Sequence, residues 1–247
     1  PPRSTLFPYT TLFRSSLAMS TLLVALPIWL LSGGYGYVVT SIVAGAGAAG
    51  AAGGALLAGH LVDRLGPARV ATGSLILMVA ASATMALVTH VVVLGLGHLA
   101  FGMGSIGVML SRHTDLTRRV PIYLRGRAMS MMGGSMRLSV MVGTATGGAL
   151  VETVGGRWTI AAAGLAAAIG LPAVIPTARR PEREVAPTGS GGPGLAAVVR
   201  RHHRQLVRVG VFGALAMATR EGRMVLLPLV GVSLDLRPSA IGVLVAA

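Results

Sequence analysis

Cysteine and lysine are both missing from this chain of 247 residues, and acidic residues are few. Without cysteine there is no disulfide framework, no thiol nucleophile and no cysteine metal site. Without lysine, all 21 basic side chains are arginine, set against 7 Asp and Glu. That usage reads as the coding bias of a GC-rich, bacterial genome. Charged residues make up only 11% of the chain and hydrophobic ones 53%, with a mean hydropathy of +0.74. So little charge cannot cover the surface of a soluble domain, and the composition points to an integral membrane protein. Aromatic residues are scarce too, at 4%. The pI near 11.9 therefore does not signal a nucleic-acid partner, because the arginines are dispersed and have no stacking platform beside them. No Gly-x-Ser-x-Gly and no His/Glu cluster at metal-ligand spacing occurs, so no cofactor and no metal are expected and the chain does not read as an enzyme.

Long apolar runs are what the sequence has in abundance. A helix needs about 20 apolar residues to cross the hydrocarbon core. Gly/Pro or arginine-rich breaks divide the chain into helices near 16–32, 36–59, 68–89, 91–111, 127–151, 157–176 and 206–231, and a partial run from Ser239 to Ala247. Residues 177–205 differ in character, with Pro181, Pro187, Pro193, a Gly-Ser-Gly-Gly run and then Arg200, Arg201, His202, His203 and Arg204. They read as a basic cytoplasmic linker between a six-helix transmembrane half at 16–176 and the start of a second half at 206–247. Residues 1–15 are set aside. Thr5 to Ser15 resembles the translation of a sequencing-adapter oligonucleotide, and Pro8, Thr10 and Thr11 interrupt its apolar residues, so it is no signal peptide. This segment is expected to be artefactual or disordered and to carry no function.

Arginine placement fixes the orientation. With even-numbered helices ending inside, 14 of the 21 arginines fall in inner loops, while the outer loops hold only Arg157 and Arg237, beside Glu152 and Asp235. So large a bias makes the loops at 59–70, 112–127 and 177–205 cytoplasmic.

The first of these loops, Gly59-His-Leu-Val-Asp63-Arg64-Leu-Gly66-Pro-Ala-Arg69, is a short charged hinge between two apolar runs. It resembles the loop signature of the major facilitator superfamily, matching at Gly59, Asp63, Arg64, Gly66 and Arg69. Pro67 and Ala68 stand where that family often has basic residues. The resemblance implies an all-α, polytopic bundle of twelve transmembrane helices in two pseudo-symmetric halves, of which about seven and a half are present here. The chain is accordingly expected to be a fragment truncated at both ends. It also implies that Asp63 stabilises one conformational state through contacts with the second half.

Two further stretches carry the resemblance. His98-Leu-Ala-Phe-Gly102-Met-Gly104 is similar to a fourth-helix pattern of the family, with His98 in place of an arginine implicated in proton coupling. Two readings stay open for His98: a cavity-facing group that exchanges protons near neutral pH, or a neutral imidazole bonded to a neighbouring helix. Ser139-Val-Met-Val-Gly143-Thr144-Ala-Thr-Gly147-Gly148 is similar to the antiporter signature of drug-efflux members, at Gly143, Gly147 and Gly148, with Thr144 in place of a proline. Two Gly-x-Gly-x-x-Gly matches, Gly45 to Gly50 and Gly102 to Gly107, lie inside apolar runs with no strand before them. Close helix packing explains them better than dinucleotide binding.

Charges within spans are the strongest site signal, because each costs about 2.5 to 3.5 kcal/mol at the centre of a helix unless it faces a bundle interior or a wet cavity. Arg137, Arg220, Glu221 and Arg223 meet this description, and Glu221 is the one carboxylate placed inside a span. It is the candidate coupling-proton carrier, or else part of a structural ion pair between helices five and seven. The reading is a multi-pass transporter in a bacterial inner or plasma membrane, moving a small molecule by alternating access with proton-coupled efflux. An uptake symporter for sugars or other metabolites and a non-transporting membrane scaffold are the alternatives. The implied partners are the lipid bilayer, the small-molecule substrate and protons, with no nucleic acid. Reporter fusions at Gly191 and Thr89 are expected to report opposite compartments; the same side for both means a miscounted span.

Overall fold

Small residues decide where these helices can meet. In the computed structural model the described residues are 7–172, 174, 175 and 226–246, with positions 200, 203–205, 207, 208, 211, 212, 215, 219 and 222. Most of the linker at 177–205, and Arg220, Glu221 and Arg223, lie outside them. All regular structure among the described residues is helical: α1 (Phe7–Ser32), α2 (Tyr37–Leu65), α3 (Pro67–Leu87), α4 (Val91–Arg119), a 3-10 turn (Ile122–Leu124), α5 (Arg125–Val154) and α6 (Gly156–Ala168). Residues 226–233 form α7, and α8 is Pro238–Ala246. Among the described residues, four stretches are long and apolar enough to cross a membrane: Thr10–Ser32, Tyr37–Leu65, Pro67–Leu87 and Val91–Arg119.

Several helices outrun the predicted spans. α1 starts at Phe7 and not at 16, so residues 7–15 are built into the bundle, with Thr11, Leu12 and Ser15 buried. Polar side chains there bond locally, as Ser15 Oγ does to the Leu12 carbonyl, and Arg14 Nη1 donates to the Ile169 carbonyl at 2.9 Å. A proline in the first turn of a helix displaces no intrahelical donor, so Pro8 is no barrier. The predicted hinge at 59–70 is also mostly helix. α2 runs through Asp63 and Arg64, and the break is the single residue Gly66, at φ 83° and ψ 155°, with Pro67 as the first residue of α3. Only glycine adopts that backbone without strain, and proline is preset for a first helical turn. α4 likewise continues to Arg119. α6 stops at Ala168, short of 176, because Pro172 offers no N–H to the Ala168 carbonyl; a turn at 169–170 precedes the helical residues 171 and 172.

Helices in lipid gain no hydrophobic drive toward one another, so contact depends on packing and interhelical hydrogen bonds. Glycines supply the packing. On the α2–α4 seam a Cβ on Gly54 would lie 2.8 Å from the Met103 Cα, and one on Gly50 would overlap the Leu99 carbonyl. Gly104 and Gly107 bring α4 equally close to Ser74 and Met78 of α3. The Gly-x-Gly-x-x-Gly stretches are thus helix seams. α1 runs through the core, where Leu22, Leu26 and Leu30 join Leu75, Met78, Phe101 and Ile160 of α3, α4 and α6 in one buried cluster. The other faces stay apolar and exposed, as at Leu56, Leu57, Leu96 and Ile42, and are dressed for lipid.

The six helices read as two sets of three, α1–α3 and α4–α6, because α5 packs on α1 as α2 packs on α4, and placing the arginine-rich ends inside makes the two sets run in opposite directions. α5 ends as α2 does: Gly155 has φ 84° and ψ 162°, and α6 begins at the next residue. Gly54 of α2 packs on α4, and Gly143 of α5 packs on α1 at Leu17 and Ser20. Such repeats mark membrane transporters. Gly50→Val is expected to cost about 1 to 3 kcal/mol by overpacking its seam, read as a lower midpoint of thermal unfolding in detergent. Gly53→Ala, where nothing lies within 4 Å, is expected to leave the midpoint level or raise it.

Candidate functional site

The residues of the hinge motif occupy the last turns of α2 and the first of α3. Arg64, in the last turn of α2, complements the negative end of the helix dipole. Asp63, Arg64 and Arg69 are all exposed, and Asp63 makes no hydrogen bond or ion pair among the described residues. Gly59 stands 3.9 Å, measured from a built Cβ, from Leu110 of α4.

A second charged group, not picked out from the sequence, lies nearby on α4. Arg112 is buried at 6% exposure, and its Nη1 is 4.0 Å from Asp115 Oδ2, while Arg119 Nε donates to Asp115 Oδ1. Arg112 Nε has no partner among the described residues. The signal is present as an Arg-x-x-Asp-x-x-x-Arg spacing, which puts the three side chains on one helical face. Placing Arg112 in an inner loop hides it, because the spacing has meaning only on a helix.

His98 lies in the α2–α4 seam. Its ring is buried at 2% exposure, its Nδ1 is 2.9 Å from the Val43 carbonyl oxygen, and a Cβ on Gly47 would come within 2.6 Å of the imidazole. Nδ1 donates to the Val43 carbonyl, and Nε2 has no partner among the described residues. This geometry favours the second of the two readings, a neutral imidazole bonded to a neighbouring helix.

The glycines of helix five divide their work. Gly143 and Gly147 face α1, where Thr21 Oγ1 donates to the Gly143 carbonyl at 3.2 Å. Gly148 faces α8, its built Cβ 3.0 Å from Gly242 Cα. Thr144 bonds back to the Val140 carbonyl at 2.8 Å, and α5 runs unbroken through the position where the signature has proline. Arg137, Met141, Thr144, Gly148 and Glu152 recur every three or four residues and therefore form one stripe. α8 covers its outer part, and Arg137, exposed, lies further in on the same stripe.

At the C-terminal end of α5, beyond the predicted span, Glu152 Oε2 accepts from the Ser239 N–H at 3.0 Å. The Ser239 hydroxyl and then its N–H hold the Glu152 carboxyl below its ordinary value, Arg237 adds to them, and slight desolvation works the other way. A depressed pKa means that the contact is complete above the ordinary carboxylate value and is lost only as pH falls through the lowered one. At neutral pH this is a fixed charge.

The structure therefore joins Gly148 and Glu152 to α8, and keeps His98 and Arg137 on separate faces of separate helices. The family model of the Major Facilitator Superfamily matches residues 9–247. The chain belongs to the Major Facilitator Superfamily. No curated protein matches it. As a major facilitator it is a multi-pass membrane transporter whose partners are the lipid bilayer and a small-molecule substrate, and members of this superfamily are transporters and not enzymes. Its all-α bundle is that of a partial major facilitator fold. Asp63→Asn is expected to leave membrane insertion intact and to lower the rate of transport, since the residue is exposed and bears no packing. Unchanged transport in reconstituted vesicles would strip the hinge motif of a mechanistic role.

Proposed function

We propose that this major facilitator exports its small molecule in exchange for protons, by alternating access, across the inner or plasma membrane of a bacterium. The observation that carries the reading is α5, whose glycines at 143, 147 and 148 resemble the antiporter signature and bind the helix at once to α1 and to α8. A helix held by both halves transmits the rocking of one against the other. Arg137 adds support. A guanidinium is costly at membrane depth unless it meets a wet cavity or a partner, and Arg137 is exposed on the α5 stripe that runs toward the second half.

The neighbours of Arg137 on that exposed surface are Gly133, Gly134 and Met141, small or apolar. Such a lining suits an amphipathic efflux substrate better than a sugar, which would need several hydrogen-bonding side chains there. Glu221 is the proton carrier in this reading, with Arg220 and Arg223 next to it in the sequence and His98 in a structural role.

The test is Glu221→Gln in the reconstituted protein. Efflux driven by a pH gradient is expected to fall to background while substrate exchange without a gradient persists, and His98→Ala is expected to have the smaller effect. Gradient-driven transport at the wild-type rate in the Gln variant would remove Glu221 from the coupling step. Failure of that variant to accumulate in the membrane would assign Glu221 to a structural ion pair.

A further inference from the structure

The hinge motif occurs twice. Gly59-His-Leu-Val-Asp63-Arg-Leu-Gly66 closes α2, and Gly148-Ala-Leu-Val-Glu152-Thr-Val-Gly155 closes α5. The two share glycines at both ends, the Leu-Val pair and a carboxylate three residues before the final glycine, and that glycine has nearly the same backbone angles in both. Because the three-helix repeats are inverted, Asp63 lies at the inner end of the bundle and Glu152 at the outer end.

Among the described residues, only the outer copy is engaged. The first N–H groups of a helix have no intrahelical partner and carry the positive end of its dipole, so a carboxylate placed there gains a charge-assisted hydrogen bond. Glu152 does this for α8 through the Ser239 N–H at 3.0 Å. One turn below, Gly148 and Gly242 let the two backbones touch. The residues are not otherwise needed to hold α5, which packs on α1 through Gly143 and Gly147. Asp63, meanwhile, is exposed and makes no bond among the described residues.

Building on the reading of this chain as an alternating-access transporter, we infer that Glu152 is a positioning residue that latches the outer ends of the two halves together, as the outer counterpart of Asp63. The structure holds the outer latch closed. When the halves rock and the outer side opens, α8 leaves α5, the Glu152 carboxylate loses Ser239, and Asp63 is free to engage the second half at the inner side. One motif, copied on both faces, gives each end state its own ionic contact.

The absence of native cysteine allows paired thiols at Val154 and Leu236, both exposed, to be spin-labelled without background. Distances are read by pulsed dipolar spectroscopy on the protein in lipid at neutral pH, with no substrate and no gradient. Glu152→Gln and Glu152→Ala are expected to shift the distribution toward the longer distance. Asp235→Asn, which removes the other outer carboxylate, is expected to leave it unchanged, and Asp63→Asn to shift it toward the shorter distance. A distribution in both Glu152 variants that superimposes on that of the parent pair would overturn the latch; so would a shift of equal size in Asp235→Asn. If either Glu152 variant fails to accumulate, Gly242→Val, which forces the same two backbones apart without touching the carboxylate, must widen the distance for the proposal to stand. Transport by the unsubstituted protein is measured separately. Its absence would count against the transporter reading, while the distance shift would still decide the latch.

Discussion

Backbone-to-backbone approach at glycine is the interaction on which the rest of this bundle depends. Burial of leucine in a membrane yields little, since lipid tails are as apolar as the side chains that would replace them, and helices must gain through dispersion and short polar contacts. Those gains rise steeply as surfaces close. The absence of a Cβ at Gly50 and Gly102 lets the carbonyl oxygens of Leu99 and Gly47 rest directly on the facing backbone, and Gly54 does the same for Met103, so α2 and α4 meet main chain to main chain. The same seam explains His98. Gly47 leaves a hollow that the imidazole fills, and the Val43 carbonyl accepts a hydrogen bond from the ring. A larger residue at 47 would expel the ring and leave a buried carbonyl with a lost partner, so the chemistry at 98 is subordinate to the packing at 47.

Much of the fold is legible in the sequence, and the misreadings have a common cause. Apolar runs report the part of a helix that sits in hydrocarbon, about 30 Å or 20 residues. A helix of 29 residues such as α2 or α4 extends beyond that slab. Hydropathy is silent there, and charged residues such as Asp63, Arg64, Asp115 and Arg119 look like loops although they continue the helical ladder. The breaks at Gly66 and Gly155 are made by a glycine at positive φ, which hydropathy does not report and which glycine pairs alone do not reveal, since Gly53-Gly54 and Gly147-Gly148 lie inside unbroken helices. The segment before residue 16 is misleading for the same reason: threonine and serine lower its hydropathy, yet their hydroxyls can bond back to the preceding turn and so sit inside a helix at small cost.

Of the candidate site, the positions defined by burial of charge or by small residues are readable, and those defined by what they touch are not. Arg137 stands out in any sequence, because a cation in an apolar run requires an explanation. Glu152 does not stand out, because a carboxylate at the end of an outer helix is ordinary. Its meaning comes from α8, a helix many residues away in the chain, whose free N–H groups happen to meet it. Arg112 shows the converse. It looks like an ordinary inner-loop arginine, but the structure buries it and leaves Asp115 as its nearest counter-charge at 4.0 Å, shared with Arg119.

The continuity of α5 bears on how the halves move. In place of the proline that would remove a backbone donor, Thr144 keeps its N–H and spends its hydroxyl on the Val140 carbonyl, so the helix retains its ladder from Arg125 to Val154. A continuous helix is stiff, and it is tied to α1 by Gly143 and Gly147 through most of the outer half of its length. Motion between the halves therefore cannot be absorbed by bending at this point in α5. It falls instead at the α5–α8 seam, where Gly148 packs on Gly242, Ile241 and Val245 of α8 are buried with Val24 and Ile28 of α1 beside Val140 and Val151 of α5, and the Ser239 N–H bonds Glu152. The glycine contact and the hydrogen bond are short-ranged, and a shift of one or two ångströms forfeits most of each. Contacts that act only at close range are made or lost together, which is the kind of two-state element that the proposed alternating access calls for.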